Sequence, residues 1–340
     1  MLEKNVLYIG NNLYNSKTNP SSIQVIGKQL ESAGFTMYYS SSKNNKVLRL
    51  LDMLYSCVKY KRVVSHVIID TYSTSNFYYA LLVSQLCRLI KLPYVLSLNG
   101  GNLPMRLEKY PKLSGLLFKH AKTLVSPSLY LQEAFSKHGY SKVAFIPNAL
   151  NLVNYPFTYR PISDIRLLWV RSFCKIYNPC LAVDVLKALQ DRGYTANLCM
   201  VGPDTDGSLA IVKQYANAKG VQVETPGKLS KTEWITLAKD YNVFINTTNF
   251  DNMPVSVIEG MALGLPIVST NVGGLPYLIA DGVDGVLVPP KNTEAFVSAL
   301  LHLKAHPEQT MAMVLAAREK VSHFDWEVVK NQWQQVLVDG

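Results

Sequence analysis

The sequence predicts an α/β protein made of two Rossmann-like domains, each a doubly wound parallel sheet. Three observations carry this. The chain has 340 residues, 48% of them apolar, enough for two cores of ordinary size and with no compositional sign of disorder. Short apolar runs alternate with helical stretches, the pattern of parallel strands joined by crossover helices. That pattern runs twice, broken near 147–162, where Asn148, Asn151, Asn154, Pro156 and Pro161 make a segment suited to a linker.

The elements follow in order. An apolar run at 5–10 ends in Gly10, and after a polar loop a helical pattern starts at about Ser21 with Ile23, Val25, Ile26 and Leu30. This is a Rossmann-like start without the dinucleotide fingerprint, since only Gly10 is present. Further strands are expected at 64–70, 94–98, 123–126 and 143–146, with a helix at 77–89. The second half repeats the scheme with strands at 165–170, 197–201, 221–224, 243–246, 266–270 and 286–288. A last helix at about 326–337 follows Ser322-His323-Phe324-Asp325, where Ser322 or Asp325 offers a cap. Ligands of such sheets bind beyond the carboxyl ends of the strands, which places the expected site in a cleft between the domains.

Composition narrows the functional classes. No run of about 18 apolar residues exists, and the amino terminus enters a strand without a signal-peptide pattern, so the protein is expected in the cytoplasm. Five cysteines, an odd number with no Cys-x-x-Cys pair, fit reduced core thiols rather than a disulfide frame or a zinc site. His302 and His306 stand four apart without an acidic neighbour and read as surface residues; no metal site is expected. Net charge is +10 and uneven. Residues 1–150 hold 18 Lys and Arg against 6 Asp and Glu, whereas the remainder holds 16 against 18. Such asymmetry points to an anionic surface or partner for the first half alone. Within it, Val47, Leu50, Leu51, Leu54 and Val58 form one helical face flanked by Lys43, Lys46, Arg49, Lys59, Lys61 and Arg62. That segment reads either as a helix docking on an anionic membrane or as one packing on the sheet with a basic rim. A nucleic-acid partner is not expected.

The most informative stretch is 249–274, reading Asn-Phe-Asp-Asn-Met-Pro-Val-Ser-Val-Ile-Glu-Gly-Met-Ala-Leu-Gly-Leu-Pro-Ile-Val-Ser-Thr-Asn-Val-Gly-Gly. Physically it is a polar loop, a short helix opened by Pro254, a Gly264-Leu265-Pro266 break and a buried strand. A helix amino terminus with free amides suits an anionic ligand, although such a loop is also an ordinary connection between strand and helix.

The stretch resembles the signature of the GT-B retaining glycosyltransferases of family 4. That pattern has an acid, seven residues and a second acid on the donor-side helix, then a Gly-x-Pro strand entry and a Gly-Gly loop. Here the acids are Asp251 and Glu259. The resemblance implies that Glu259 grips the ribose hydroxyls of the donor nucleotide and that Asp251 lies beside the donor sugar. Asp251 is one methylene shorter than the usual Glu, a displacement of about 1.5 Å. Arg171 and Lys175, after the 165–170 strand, take the place of the diphosphate-binding Arg and Lys, with Lys175 also readable as a solvated loop residue. Gly202 matches the strand-end glycine, and Gly227, Lys228 and Leu229 match the loop that reads the base through its backbone. Asn252, Met253 and Pro254 occupy the loop whose amides meet the donor sugar, and Pro147-Asn148 resembles the hinge motif.

The first half departs further from that family. Asn11-Asn12 and Pro20-Ser21-Ser22 replace its glycine pair, and Asn99 stands where many relatives carry His. Asn99 suits holding a hydroxyl and cannot act as a base; it also reads as a plain Asn-Gly turn. The resemblance implies a GT-B fold with a first domain at 1–155, a nucleotide-sugar domain at 163–322 and a final helix at 325–340 packing back on the first. It further implies a retaining, metal-independent glycosyltransferase with no cofactor. Such an enzyme would move a hexose-type sugar from a UDP- or GDP-sugar to a glycan or lipid-linked acceptor of bacterial surface polysaccharide synthesis, at the cytoplasmic side or peripherally on the inner face of the plasma membrane. A GT-B epimerase or phosphorylase, or a catalytically silent membrane- or nucleotide-binding protein, are the alternatives.

Overall fold

The structure is a computed structural model and describes residues 4–13 and 19–339. Residues 1–3, on which the expected absence of a leader partly bears, lie outside the described residues. Two compact units are built from the chain. One runs through Ala149 and takes in the chain again from Trp326; the other is Leu150–Asp325.

The first unit contains β1 (Asn5–Ile9), α1 (Ser22–Ser32), β2 (Thr36–Ser40), α2 (Lys46–Tyr60), β3 (His66–Thr71), α3 (Asn76–Leu89) and β4 (Tyr94–Leu98). It continues with α4 (Leu103–Lys109), α5 (Pro111–Phe118), β5 (Thr123–Ser126), α6 (Leu129–Lys137) and β6 (Val143–Phe145). Its six strands are all parallel in the order β2-β1-β3-β4-β5-β6. Because side chains alternate across a strand, β1 divides itself between two cores. Val6 and Tyr8 pack with Ile23 and Leu30 of α1, while Leu7 and Ile9 pack with Met53 and Cys57 of α2 and Phe77 and Val83 of α3.

The second unit contains β7 (Ile165–Val170), α7 (Pro179–Asp191), β8 (Ala196–Val201), α8 (Ser208–Lys219), β9 (Glu224–Gly227), α9 (Lys231–Leu237) and β10 (Val243–Asn246). After these come α10 (Val255–Ala262), β11 (Ile267–Thr270), α11 (Leu275–Leu278), β12 (Val286–Val288), α12 (Thr293–Ala305) and α13 (Pro307–Ser322). The sheet is again parallel, ordered β12-β11-β10-β7-β8-β9. The last helix, α14 (Trp326–Gln334), returns to the first unit. Its Trp326, Val329 and Trp333, with Leu337 beyond it, are buried against the α1 side of that sheet.

Three expectations need correction. β2 was not foreseen, because Thr36-Met-Tyr-Tyr-Ser40 is an edge strand with one well-buried residue and no continuous apolar run. β9 begins at Glu224 rather than ending there, since Val221 is instead buried just after the left-handed Gly220 that closes α8. The units divide at Ala149 and Leu150, inside the expected 147–162 joining segment but earlier than the expected domain end at 155, and Leu150, Leu152 and Tyr155 are buried in the second unit's core. All five cysteines are free, with Cys57, Cys87 and Cys199 buried.

Candidate active site

The candidate site grows from the carboxyl ends of β7 and β10. Arg171 follows β7, with its backbone N–H donating to the Val201 carbonyl at 3.0 Å. Gly202, at the end of β8, lies so close that a Cβ there would overlap the Arg171 carbonyl oxygen, which is why this position excludes larger residues. The Arg171 guanidinium stacks on the Tyr177 ring at 4.0 Å from its centroid and forms an ion pair with the Asp251 carboxylate. Both partners are largely withdrawn from water, at 13% and 14% side-chain exposure, so their attraction is screened less than that of a surface pair. Burial raises the Tyr177 hydroxyl above its ordinary pKa, and the neighbouring guanidinium partly opposes that shift.

The loop carrying Asp251 is held from two sides. The Asn249 N–H donates to the Ile176 carbonyl at 2.7 Å, tying it to the Lys175–Tyr177 turn. The Gly274 N–H donates to the Asp251 carbonyl at 2.9 Å. Cβ atoms at Gly273 and Gly274 would overlap the carbonyl oxygens of Asp251 and Asn252, so the glycine pair is what lets the loop lie on the 272–275 turn. The Asp251 carboxylate also accepts the Asn252 N–H at 2.9 Å. Pro254 takes an extended conformation and opens α10, whose core is packed by Met253, Val257, Ile258 and Met261. Three polar atoms of this loop system are buried without a partner: Arg171 Nε, Asn249 Oδ1 and Ser256 Oγ. Buried polar groups are normally satisfied, and these are groups a polar ligand would engage.

Glu259 sits farther along α10 and is 1% exposed. Its carboxylate accepts the Tyr155 hydroxyl at 2.7 Å and pairs with Lys231, whose side chain is 61% exposed. Burial, followed by the Glu259 charge, pushes the Tyr155 hydroxyl well above its ordinary pKa. Lys231 opens α9, which a reciprocal cap between Ser230 and Glu233 fixes in place. Just before it, Gly227 accepts the Gly202 N–H at 2.9 Å, bringing the 227–229 loop beside the Arg171 turn.

The structure thus gathers Arg171, Gly202, Asp251, Asn252, Met253, Pro254 and Gly227 around adjoining loops. Met253 is buried in the core, and Leu229 packs on it. Lys228 is exposed. Lys175 is exposed in the Arg171 turn, with its N–H accepted by Asp206 at 3.0 Å. Asn99 belongs to the first unit, where its amide donates to Asp70 Oδ1 at 2.8 Å. The Asp70 carboxyl is raised to about 7 by burial, against the Tyr8 and Asn99 hydrogen bonds that lower it.

Tyr155, Tyr177, Lys231 and Asp206 were not among the expected residues. Tyr177 stands two positions after Lys175, the one local signal that could have found it; Tyr155 and Lys231 meet Glu259 only through the fold. Asp206 belongs to an Asp-x-Asp pair with Asp204, a spacing that also occurs in metal sites and was absent from the expectations above. Its carboxylate accepts the N–H of Lys175 and the N–H and hydroxyl of Ser208, which hold its pKa at about 2. Asp204 accepts the Gly207 N–H at 3.0 Å. The pair therefore folds the turn into α8 and anchors Lys175. Among the described residues no group of three or more His, Cys, Asp or Glu is placed to hold a metal ion.

Residues 164–306 match the family described as glycosyl transferases group 1. The match covers less than half of the chain. The chain is similar to WcaL of Salmonella typhimurium, named a putative colanic acid biosynthesis glycosyltransferase, at 27% identity over 195 residues, which is 53% of this chain and 48% of WcaL. Another relative is AmsK of Erwinia amylovora, an amylovoran biosynthesis glycosyltransferase, 36% identical over 90 residues, or 26% of this chain and 22% of AmsK. The chain spans about half the length of the first curated relatives it matches, or less. Among solved structures, Anabaena HepE in complex with UDP-glucose superimposes with a TM-score of 0.78 over 99% of this chain and all of its own, at 15% identity. That likeness identifies the fold as GT-B, with two parallel six-stranded sheets flanked by helices.

Proposed function

We propose that this protein is a retaining glycosyltransferase that moves a sugar from a nucleoside-diphosphate sugar to a glycan or lipid-linked acceptor of polysaccharide synthesis. The observation that carries this reading is the Arg171–Asp251 pair, withdrawn from water over Tyr177, beside the amino terminus of α10 and within a group 1 domain. A fixed guanidinium there suits the charge that grows on a departing diphosphate, and exposed Lys175 adds a second cation from the same turn. In this reading no metal is required for that neutralisation. Asp251, already fixed by Arg171 and the Asn252 amide, offers its carboxylate edge to the donor sugar. Glu259 holds the ribose hydroxyls once exposed Lys231 swings aside. The acceptor hydroxyl then bonds to the anomeric carbon on the face the diphosphate leaves, and a leaving phosphate oxygen takes its proton. The names of WcaL and AmsK support a polysaccharide acceptor, and the UDP-glucose complex of HepE supports a uridine nucleotide.

Hydrolysis of a panel of UDP- and GDP-sugars tests the reading. Turnover of at least one donor is expected. Glu259→Ala should raise the donor KM, whereas Arg171→Ala should also lower kcat, because ribose binding is largely uniform and diphosphate charge develops in the transition state. Donor binding without turnover across the panel would instead favour a silent nucleotide-binding protein.

A further inference from the structure

Helix α2 is inverted with respect to its sequence pattern. It turns Arg49, Met53, Ser56 and Cys57 inward, with the Arg49 guanidinium donating to the carbonyls of Lys43 and Asn44 and to Asn11 Oδ1. Val47, Leu48, Leu51, Tyr55 and Val58 consequently face outward, each more than half exposed. Leu50 and Leu54, expected on the apolar face, are half-buried, and Arg49, expected on its rim, is buried.

Helix α3 repeats the feature. Phe77, Ala80, Val83 and Cys87 pack inward, while Tyr78, Leu82 and Leu89 face out, Leu89 at 81% exposure. The two helices lie side by side and run the same way. The Tyr79 hydroxyl donates to the Lys46 carbonyl at 3.2 Å near their starts, and Cys57 Sγ and Cys87 Sγ are 3.9 Å apart near their ends. Both cover the same side of the sheet. Their outward stripes therefore form one apolar face of two ridges, larger than the scattered apolar residues a soluble surface normally shows.

Positive charge borders the end of this face. Residues 43–122 hold 13 Lys and Arg against 3 Asp and Glu, an excess equal to the +10 of the whole chain. Lys59, Lys61, Arg62, Arg88 and Lys91 are exposed where α2 and α3 end. An open groove lined in part by Arg88, Lys91, His120 and Lys122 adjoins them.

We propose that the α2–α3 face docks on an anionic phospholipid bilayer, its aliphatic ridges entering the headgroup boundary while the cations meet lipid phosphates. Charge decides the occupant. A second copy presenting this face would bring an equal positive excess against it, and a nucleic acid would match the cations but leave the leucines and valines unmet. A bilayer with acidic headgroups answers both features. The proposal stands apart from which sugar the protein transfers, and its failure would leave the transferase reading intact.

Co-sedimentation of the full chain with vesicles tests it, using phosphatidylcholine alone and phosphatidylcholine mixed with phosphatidylglycerol. Binding is expected on the mixed vesicles only, weakening as salt is raised. Each cation at such a surface adds about fivefold in affinity, so Lys59→Gln/Lys61→Gln/Arg62→Gln should weaken binding by about a hundredfold. Leu48→Ser/Leu51→Ser/Val58→Ser, at exposed positions that leave the core intact, should weaken it by about tenfold or more. No binding by the wild-type chain to mixed vesicles at low salt would overturn the proposal without recourse to any variant. Unchanged binding by the serine variant would overturn the insertion of the ridges. A dimer that dissociates in the serine variant, with no vesicle binding, would assign the face to a second copy instead.

Discussion

At the scale of single residues, Asp251 shows how far chemistry was legible in sequence. Its spacing from Glu259 singled it out, but its partner, Arg171, is 80 positions away and could be matched to it only through the fold. Asp251→Asn removes the charge facing Arg171, whereas Asp251→Glu keeps it on a longer arm. We expect donor turnover to fall about a hundredfold in the first and clearly less in the second, with a stability loss of about 2 kcal/mol in the first from the unpaired guanidinium. Steady-state kinetics and chemical denaturation measure the two effects; equal small losses in both variants would reduce Asp251 to a loop-building residue. Asp70 gives a different prediction. Its carboxyl is raised from 3.8 to about 7 by burial, so the folded state keeps a proton that the unfolded chain releases, and its contribution to stability falls as pH rises from about 4 to about 7. His66, lowered from 6.5 to about 4 by burial and by Lys122, acts in the opposite sense over nearly all of that range. Comparing wild type with Asp70→Asn isolates the carboxyl. The variant should gain relative stability with rising pH, by up to about 4 kcal/mol at pH 8. Parallel stability curves for the two proteins across that range would refute the buried, protonated state of Asp70.

At the scale of elements, the central strands announced themselves as apolar runs, and of the four edge strands β6 and β12 did so while β2 and β9 did not. β4, β5, β7, β10 and β12 lie where the alternating pattern puts them, while β2 and β9 sit at sheet edges with mixed composition. Helix α2 was left with two readings, docking outward or packing on the sheet, because periodicity identifies an amphipathic helix but not which of its faces turns inward when a buried arginine finds three acceptors. The loops around the candidate site depend on glycines for space. Gly274→Ala should drive its Cβ into the Asn252 carbonyl, costing about 1–3 kcal/mol as the loop shifts. Since that loop presents Asp251, donor turnover should fall more than the melting temperature suggests. An active Gly274→Ala protein with wild-type stability would mean the two loops can separate freely.

At the scale of the whole chain, the two repeated βα series were readable and the units divide inside the expected 147–162 segment, but the packing of that segment was not readable. Asn and Pro residues at 147–162 resembled a linker, yet Leu150, Leu152, Tyr155 and Ile162 are buried. Helix α14 was expected as a helix from its sequence, and its place rests on Trp326, Val329, Trp333 and Leu337 filling the α1 side of the first unit. Trp333→Ala should destabilise that unit by about 3–5 kcal/mol while leaving the second unit's melting transition in place. Two-transition calorimetry reads this, and a shift confined to the second unit's transition would contradict the assignment of α14.

The first unit is thus assembled from chain segments separated by the entire second unit. On a ribosome, where domains tend to fold in the order they emerge, the first sheet can form early but its α1 side stays uncovered until the segment after Asp325 has been made. The second unit, continuous in sequence, has every residue it needs before then. Completion of the first unit is a late event in synthesis, and nascent chains stalled before Trp326 should expose Val6, Tyr8, Ile23 and Leu30 to chaperones.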